Sequence, residues 1–207
     1  MNENLSKVLK MFGLMWLVTG LGLIIGEFIP SFLVLPIGIA SLVLLIAMFF
    51  IRYKKKVSKA LAYVFALFIG ITLNSVISFY VGELGKEIVI TVFGTVVILF
   101  ATLGVFGHKL KKDLKSWGSI LLILLLGLVV FSIVSIFVGM SNFVMLIASG
   151  FGVLLFVAYT IYDFNQLAKR TITEEDIPFL AINLYLDFIN LFLELLKFVY
   201  YLKKMFD

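Results

Sequence analysis

"NLYLDFINLFLELLKF", residues 183–198, decides how this chain folds. Asn183, Asp187, Asn190, Glu194 and Lys197 follow one another at spacings of 4, 3, 4 and 3. That rhythm puts all five on one face of a helix with a period near 3.5. The residues between them are Leu, Ile, Phe and Tyr, a surface suited to hydrocarbon. A charge facing lipid at mid-bilayer costs at least ~2.5–3.5 kcal/mol. The polar stripe must therefore face other helices or a watery path, and the surrounding helices are expected to enclose this one.

The rest of the chain supplies those helices. Of its 207 residues 63% are hydrophobic, and the mean hydropathy is +1.19. Soluble chains average about 45–50% apolar residues and cannot hide so much apolar surface. Five stretches carry no charge: Met11–Gly26, Phe28–Ile51, Ala60–Gly82, Ile88–Gly107 and Ser116–Tyr162. A bilayer span needs ~20 apolar residues. The last stretch holds two spans, turned at "GMSN", Gly139–Asn142. With Ile177 to about Leu202 the total is seven. The predicted fold is an all-α membrane protein, one bundle of seven transmembrane helices with the last helix central. Its spans are expected near 9–29, 32–52, 59–81, 88–108, 117–138, 143–168 and 177–202.

Charge placement predicts orientation. "RYKKKVSK" carries Arg52, Lys54, Lys55, Lys56 and Lys59, and "HKLKKDLK" carries four lysines. Lys7 and Lys10 flank the first span, and Lys169 and Arg170 follow the sixth. Alternating helices put all of these on one side, and the positive-inside rule makes that side, with the N-terminus, cytoplasmic. Lys203 and Lys204 disagree: seven crossings place them outside, unless the last segment re-enters. The net charge of +5 sits in short loops between spans and does not read as nucleic-acid binding. "GEFIPSF" offers no small-residue cleavage site, so no secretory signal is expected. With no cysteine, disulfides and thiolate metal sites are excluded.

The sixth span offers the stripe a counterpart. Tyr159, Tyr162, Asp163 and Gln166 share one face, and Asp163 is the only charged residue between Lys115 and Lys169. Asp187 lies about 15 Å past Ile177 at 1.5 Å per residue, and Asp163 about 8 Å inside the Lys169–Arg170 boundary. Tilt must absorb that difference if the carboxylates are to meet. Two carboxylates in contact in a low dielectric cannot both ionise cheaply, so they share a proton. Such a pair is a natural pH sensor.

"YDFNQL" (162–167) followed by "LYLDFINLFLELL" (184–196), with the aspartates 24 residues apart, resembles the signature of the Bax inhibitor-1 family, or transmembrane Bax inhibitor motif (TMBIM) proteins. "GITL" (70–73) and "KKDL" (111–114) fit the same pattern. The resemblance spans nearly the whole chain and is closest to bacterial YetJ-type members. It implies seven helices with the last one central, a pH-sensitive calcium leak, and a di-aspartyl sensor formed by Asp163 and Asp187. It also implies a latch arginine at the end of the second helix, which Arg52 matches by position. Alone, Arg52 reads as a topology marker snorkelling to lipid phosphates. Bacterial relatives can carry a glutamate inside the second helix; "PIGIASLVLLI" (36–46) has none.

Calcium takes about 6–8 oxygens, and no EF-hand-like loop is present. Asp163 and Asp187, helped by Asn183, Asn190, Gln166, carbonyls and water, fit a weak, transient site suited to conduction. Tyr162, Asn183, Asn190, Gln166 and Glu194 are candidate pore-lining or dyad-supporting residues, although Glu194 can equally pair with Lys197 three residues on. The expected molecule is a calcium leak channel of the bacterial cell membrane. It is not an enzyme, needs no cofactor, and has lipid, calcium and protons as its partners. A proton-coupled transporter would use the same dyad as a relay. An intramembrane aspartyl protease also places aspartates on its sixth and seventh helices. "YLD" (185–187), however, lacks the glycines of its second motif, and no "PAL" follows. A non-conducting interaction protein is the remaining reading.

Overall fold

The computed structural model describes residues 3–51 and 58–206. They form seven helices: α1 (Glu3–Gly26), α2 (Ser31–Ile51), α3 (Lys59–Leu84), α4 (Lys86–Lys109), α5 (Trp117–Phe137), α6 (Asn142–Lys169) and α7 (Ile177–Phe206). Each is long and apolar enough to cross a membrane. Leu, Ile, Val and Phe give them length, and prolines are almost absent from their interiors. The exception, Pro36, sits near the start of α2, where few intrahelical bonds are lost. Two helices outrun their predicted spans by four residues or more at one end. Helix α1 begins six residues earlier than 9, its first turns braced by Lys7 to Glu3 at 2.8 Å, and α7 continues to Phe206.

Local chemistry sets the ends. Between α3 and α4 stands Gly85 alone, with φ of 91°, in the left-handed region that side chains resist. The Ser141 hydroxyl accepts the Val144 amide at the start of α6. Asp176 Oδ2 accepts from the amide and hydroxyl of Thr173 just before α7.

The chain divides into two compact units, Met1–Gly82 with Ile172–Tyr185, and Glu83–Thr171 with Leu186–Asp207. Helix α7 runs through both. Within the first unit, α1 and α3 touch backbone to backbone. A Cβ on Gly22 would lie 2.5 Å from the Leu67 carbonyl, and one on Gly70 would collide with that of Thr19. Beside this crossing the buried Thr19 hydroxyl donates to the Met15 carbonyl at 2.9 Å and shares a 2.5 Å bond with the Tyr185 hydroxyl. The Trp16 and Phe65 rings flank Tyr185. Close approach through small residues is how helices gain contact in lipid, where no hydrophobic force pulls them together.

Within the second unit, α6 packs on α4 and α5. Helix α7 is the most buried span, with 67% of its window inside the protein against 11–33% for the others. Its far end is pinned: Lys203 Nζ donates to the Glu83 carbonyl at 2.9 Å, and Lys204 Nζ lies 3.4 Å from the Glu83 carboxylate. The helix is unbroken, and the two lysines that defied the charge rule both meet Glu83, which offers its carboxylate to Lys204 and only its carbonyl to Lys203.

Candidate functional site

Asp163 stands seven residues before Arg170, the residue that ends α6, and Asp187 near the middle of α7. Asp187 is 6% exposed, and its Oδ2 has no hydrogen-bond partner among the described residues. The Asp163 charge acts on Asp187, and Tyr159 lies in the field of both carboxylates. The walls near them are aromatic. Phe164, next to Asp163, packs on Phe100, which also meets Phe188, next to Asp187. Phe93 extends the cluster to Phe188 and Phe192.

The cation that the family resemblance assigns to this pair, Arg52, lies outside the described residues. Another one was read only as a topology marker. The Arg170 charge acts on Asp163, and its Nε is buried with no hydrogen-bond partner among the described residues.

The other candidates fall in different places. Gln166 Nε2 turns to Asp113 Oδ1 at 3.1 Å, toward the α4–α5 loop. The Tyr162 ring lies against Gly118, where an added Cβ would meet its hydroxyl at 2.6 Å. Glu194, 8% exposed, pairs with Lys197 at 2.7 Å. It rests on Gly152, where a Cβ would come 2.7 Å from its Oε2. Asn183 and Asn190 are half-buried on the same face of α7. Among the described residues no group of three or more acidic or histidine side chains is gathered as for a tightly held metal.

Sequence reasoning missed Asn165, which is fully buried. Its Oδ1 accepts the Leu114 amide at 2.9 Å, and its Nδ2 faces the carbonyls of Gly107, Leu110 and Lys112 at 3.3, 3.3 and 3.0 Å. One side chain thus organises the whole connection from the end of α4 to α5. Its only signal was an amide two residues after Asp163 and next to Gln166, inside YDFNQL. Replacing it with alanine orphans buried backbone groups at a cost of about 1–3 kcal/mol each when water cannot reach them. Asn165→Ala is therefore expected to lower stability by about 2–4 kcal/mol, read as a fall in thermal midpoint in detergent. A midpoint matching the parent's would overturn this.

Asp113 is the loop's acid. The Gln166 amide, and then the Lys115 backbone N–H, hold its carboxyl below the usual range. A lowered pKa in the folded state means its stabilisation is present above the ordinary carboxylate pKa and lost only as pH falls through the depressed value. Over pH 5–8 this contact does not change. Asp113→Asn is accordingly expected to leave any pH profile of activity in that range unmoved; a displaced midpoint would make the loop part of the sensor.

With this geometry in place, comparison with known proteins is informative. A family model described as "inhibitor of apoptosis-promoting Bax1" matches residues 1–204. A protein of Deinococcus radiodurans is 37% identical over 172 residues, covering 79% of this chain and 72% of its own. Bax inhibitor 1 of Schizosaccharomyces pombe is 31% identical over 168 residues, 81% of this chain and 61% of its own. The Golgi anti-apoptotic protein of vaccinia virus is 33% identical over 165 residues, 80% of this chain and 67% of its own.

Proposed function

The chain belongs to the Bax inhibitor-1 family, and from that premise we propose that it is a pH-gated calcium leak channel whose sensor is the pair Asp163 and Asp187. One observation carries the reading. A buried carboxyl with an oxygen that has no hydrogen-bond partner among the described residues lies within the field of a second carboxyl. A protein that needed Asp187 only for packing would satisfy that oxygen, since an unmet buried acceptor costs about 1–3 kcal/mol. The unmet valence suits a proton or a passing cation.

In this mechanism the shared proton holds α6 and α7 together at lower pH. Loss of the proton at higher pH leaves two anions that repel each other and offer four oxygens. Calcium passing by would find a weak site, completed by water, and leave it again, as conduction requires. Arg52 is assigned the latch by family resemblance, and Arg170 is a second counter-charge for Asp163. The protein acts in the bacterial cell membrane with its N-terminus cytoplasmic, and not as an enzyme.

The test is calcium flux into liposomes holding the purified protein across pH 5–8. Wild type is expected to conduct more as pH rises, and Asp163→Asn to lose that dependence. Absence of flux at every pH from correctly folded wild type would end the channel reading.

A further inference from the structure

The α4–α5 loop presents an exposed basic surface. Lys109, Lys111, Lys112 and Lys115 are all exposed, as is Lys169 at the end of α6. None of the five forms an ion pair among the described residues, whereas Lys7, Lys197 and Lys204 each have a carboxylate partner. The nearby acid, Asp113, feels both Lys115 and Lys169. Its Oδ1 is already occupied by Gln166 and the Lys115 amide. Positive charge is therefore left over.

That charge is also held in a fixed arrangement. Leu114 is buried at the centre of the loop. Asn165 binds the backbone on both sides of Lys111, through Leu110, Lys112 and Leu114. Lys109 at the end of α4 and the loop's Lys111, Lys112 and Lys115 are thus carried on a backbone tied to α6 by one side chain. Beside them Trp117, 45% exposed, opens α5, the kind of ring that settles at headgroup level.

We infer that the loop 109–116, with Lys169, is a docking surface for the anionic headgroups of membrane lipids, built by Asn165 and Leu114. The occupant is a lipid because the lysines sit at the ends of spans, beside an interfacial indole. Phosphates of the leaflet lie at that level, and lysine stems reach them by snorkelling. This inference stands on the loop's own geometry and does not need the channel reading.

Trp117 serves as reporter. In a Trp16→Phe background it is the only tryptophan of the chain. The full-length protein is reconstituted in phosphatidylcholine vesicles containing a minor share of brominated phosphatidylglycerol or of brominated phosphatidylcholine, and quenching is compared. Each lysine near an anionic surface is worth about fivefold in affinity. A preference for phosphatidylglycerol of about fivefold or more is expected. Neutralising Lys109, Lys111, Lys112 and Lys115 to glutamine should bring it near parity. Asn165→Ala and Leu114→Ala keep every lysine but release the loop, and each should lose most of the preference. Lys10→Gln with Lys59→Gln, on α1 and α3, should lose none.

Equal quenching by the two lipids in the parent protein would overturn the inference. So would a full preference retained by a folded Asn165→Ala or Leu114→Ala protein, which would make the lysines topology markers only. If neither variant folds, the lysine sets decide. An equal loss from the Lys10 and Lys59 pair would assign the effect to bulk charge and overturn the inference.

Discussion

Asp187→Asn should give a protein whose calcium flux is flat from pH 5 to 8, where wild type changes by up to about tenfold per pH unit below its midpoint, as a single proton switch does. The substitution keeps the shape of the side chain and removes only its ability to ionise. Asp187 is 6% exposed, and the Asp163 charge reaches it. With a neutral amide there, Asp163 has no anion to repel and no proton to share, so the pair stops responding. The variant should fold, because asparagine keeps the shape of the side chain and brings no charge into the buried site. Folding is checked by gel filtration and thermal midpoint before flux is read. A pH profile matching wild type in a folded Asp187→Asn protein would remove the dyad from the mechanism while leaving the channel standing.

Gly70→Val is expected to be the most damaging substitution outside the site. A Cβ there would collide with the Thr19 carbonyl and lie 2.9 Å from the Gly22 Cα. These are backbone atoms of a neighbouring helix, so no rotamer change can relieve the overlap. Helices α1 and α3 would have to separate, breaking the contact of the Thr19 hydroxyl with the Ala66 carbonyl and disturbing its bond to Tyr185. Overpacking usually costs about 1–3 kcal/mol. A backbone clash at a helix crossing should exceed about 3 kcal/mol, seen as loss of monodisperse protein or a large drop in thermal midpoint. Gly20→Val is the control, since nothing lies within 4 Å of a Cβ at Gly20. Equal stability of the two variants would show that the crossing can yield.

Much of the site was legible as residues and little of it as contacts. Asp163 and Asp187 could be named from spacing, and the Glu194–Lys197 pair from a separation of three. Gln166 looked like a partner of the dyad because it shares a face with Asp163. Its longer side chain instead reaches the Asp113 carboxylate of the loop. Arg170 was counted among topology charges, yet its charge acts on Asp163. Asn165 was given no role within YDFNQL, since its amide has no periodic signature of its own. Its role exists only because Gly107 lets α4 rest against the Ile161 carbonyl, bringing the carbonyls of the following loop within reach.

The sequence by itself determined the seven spans, the all-helical class and the polar face of α7. Each follows from a one-dimensional cost: desolvating a charge or a peptide group in hydrocarbon is so expensive that the pattern alone enforces it. The tertiary structure alone decided which polar group meets which. It brought Asn165 to the loop, Lys204 to Glu83, and Gly22 against Gly70. Lipid solvates every apolar face equally well, so hydropathy does not specify how a helix is rotated or how far it slides. Close packing at glycines and the satisfaction of buried polar groups fix both.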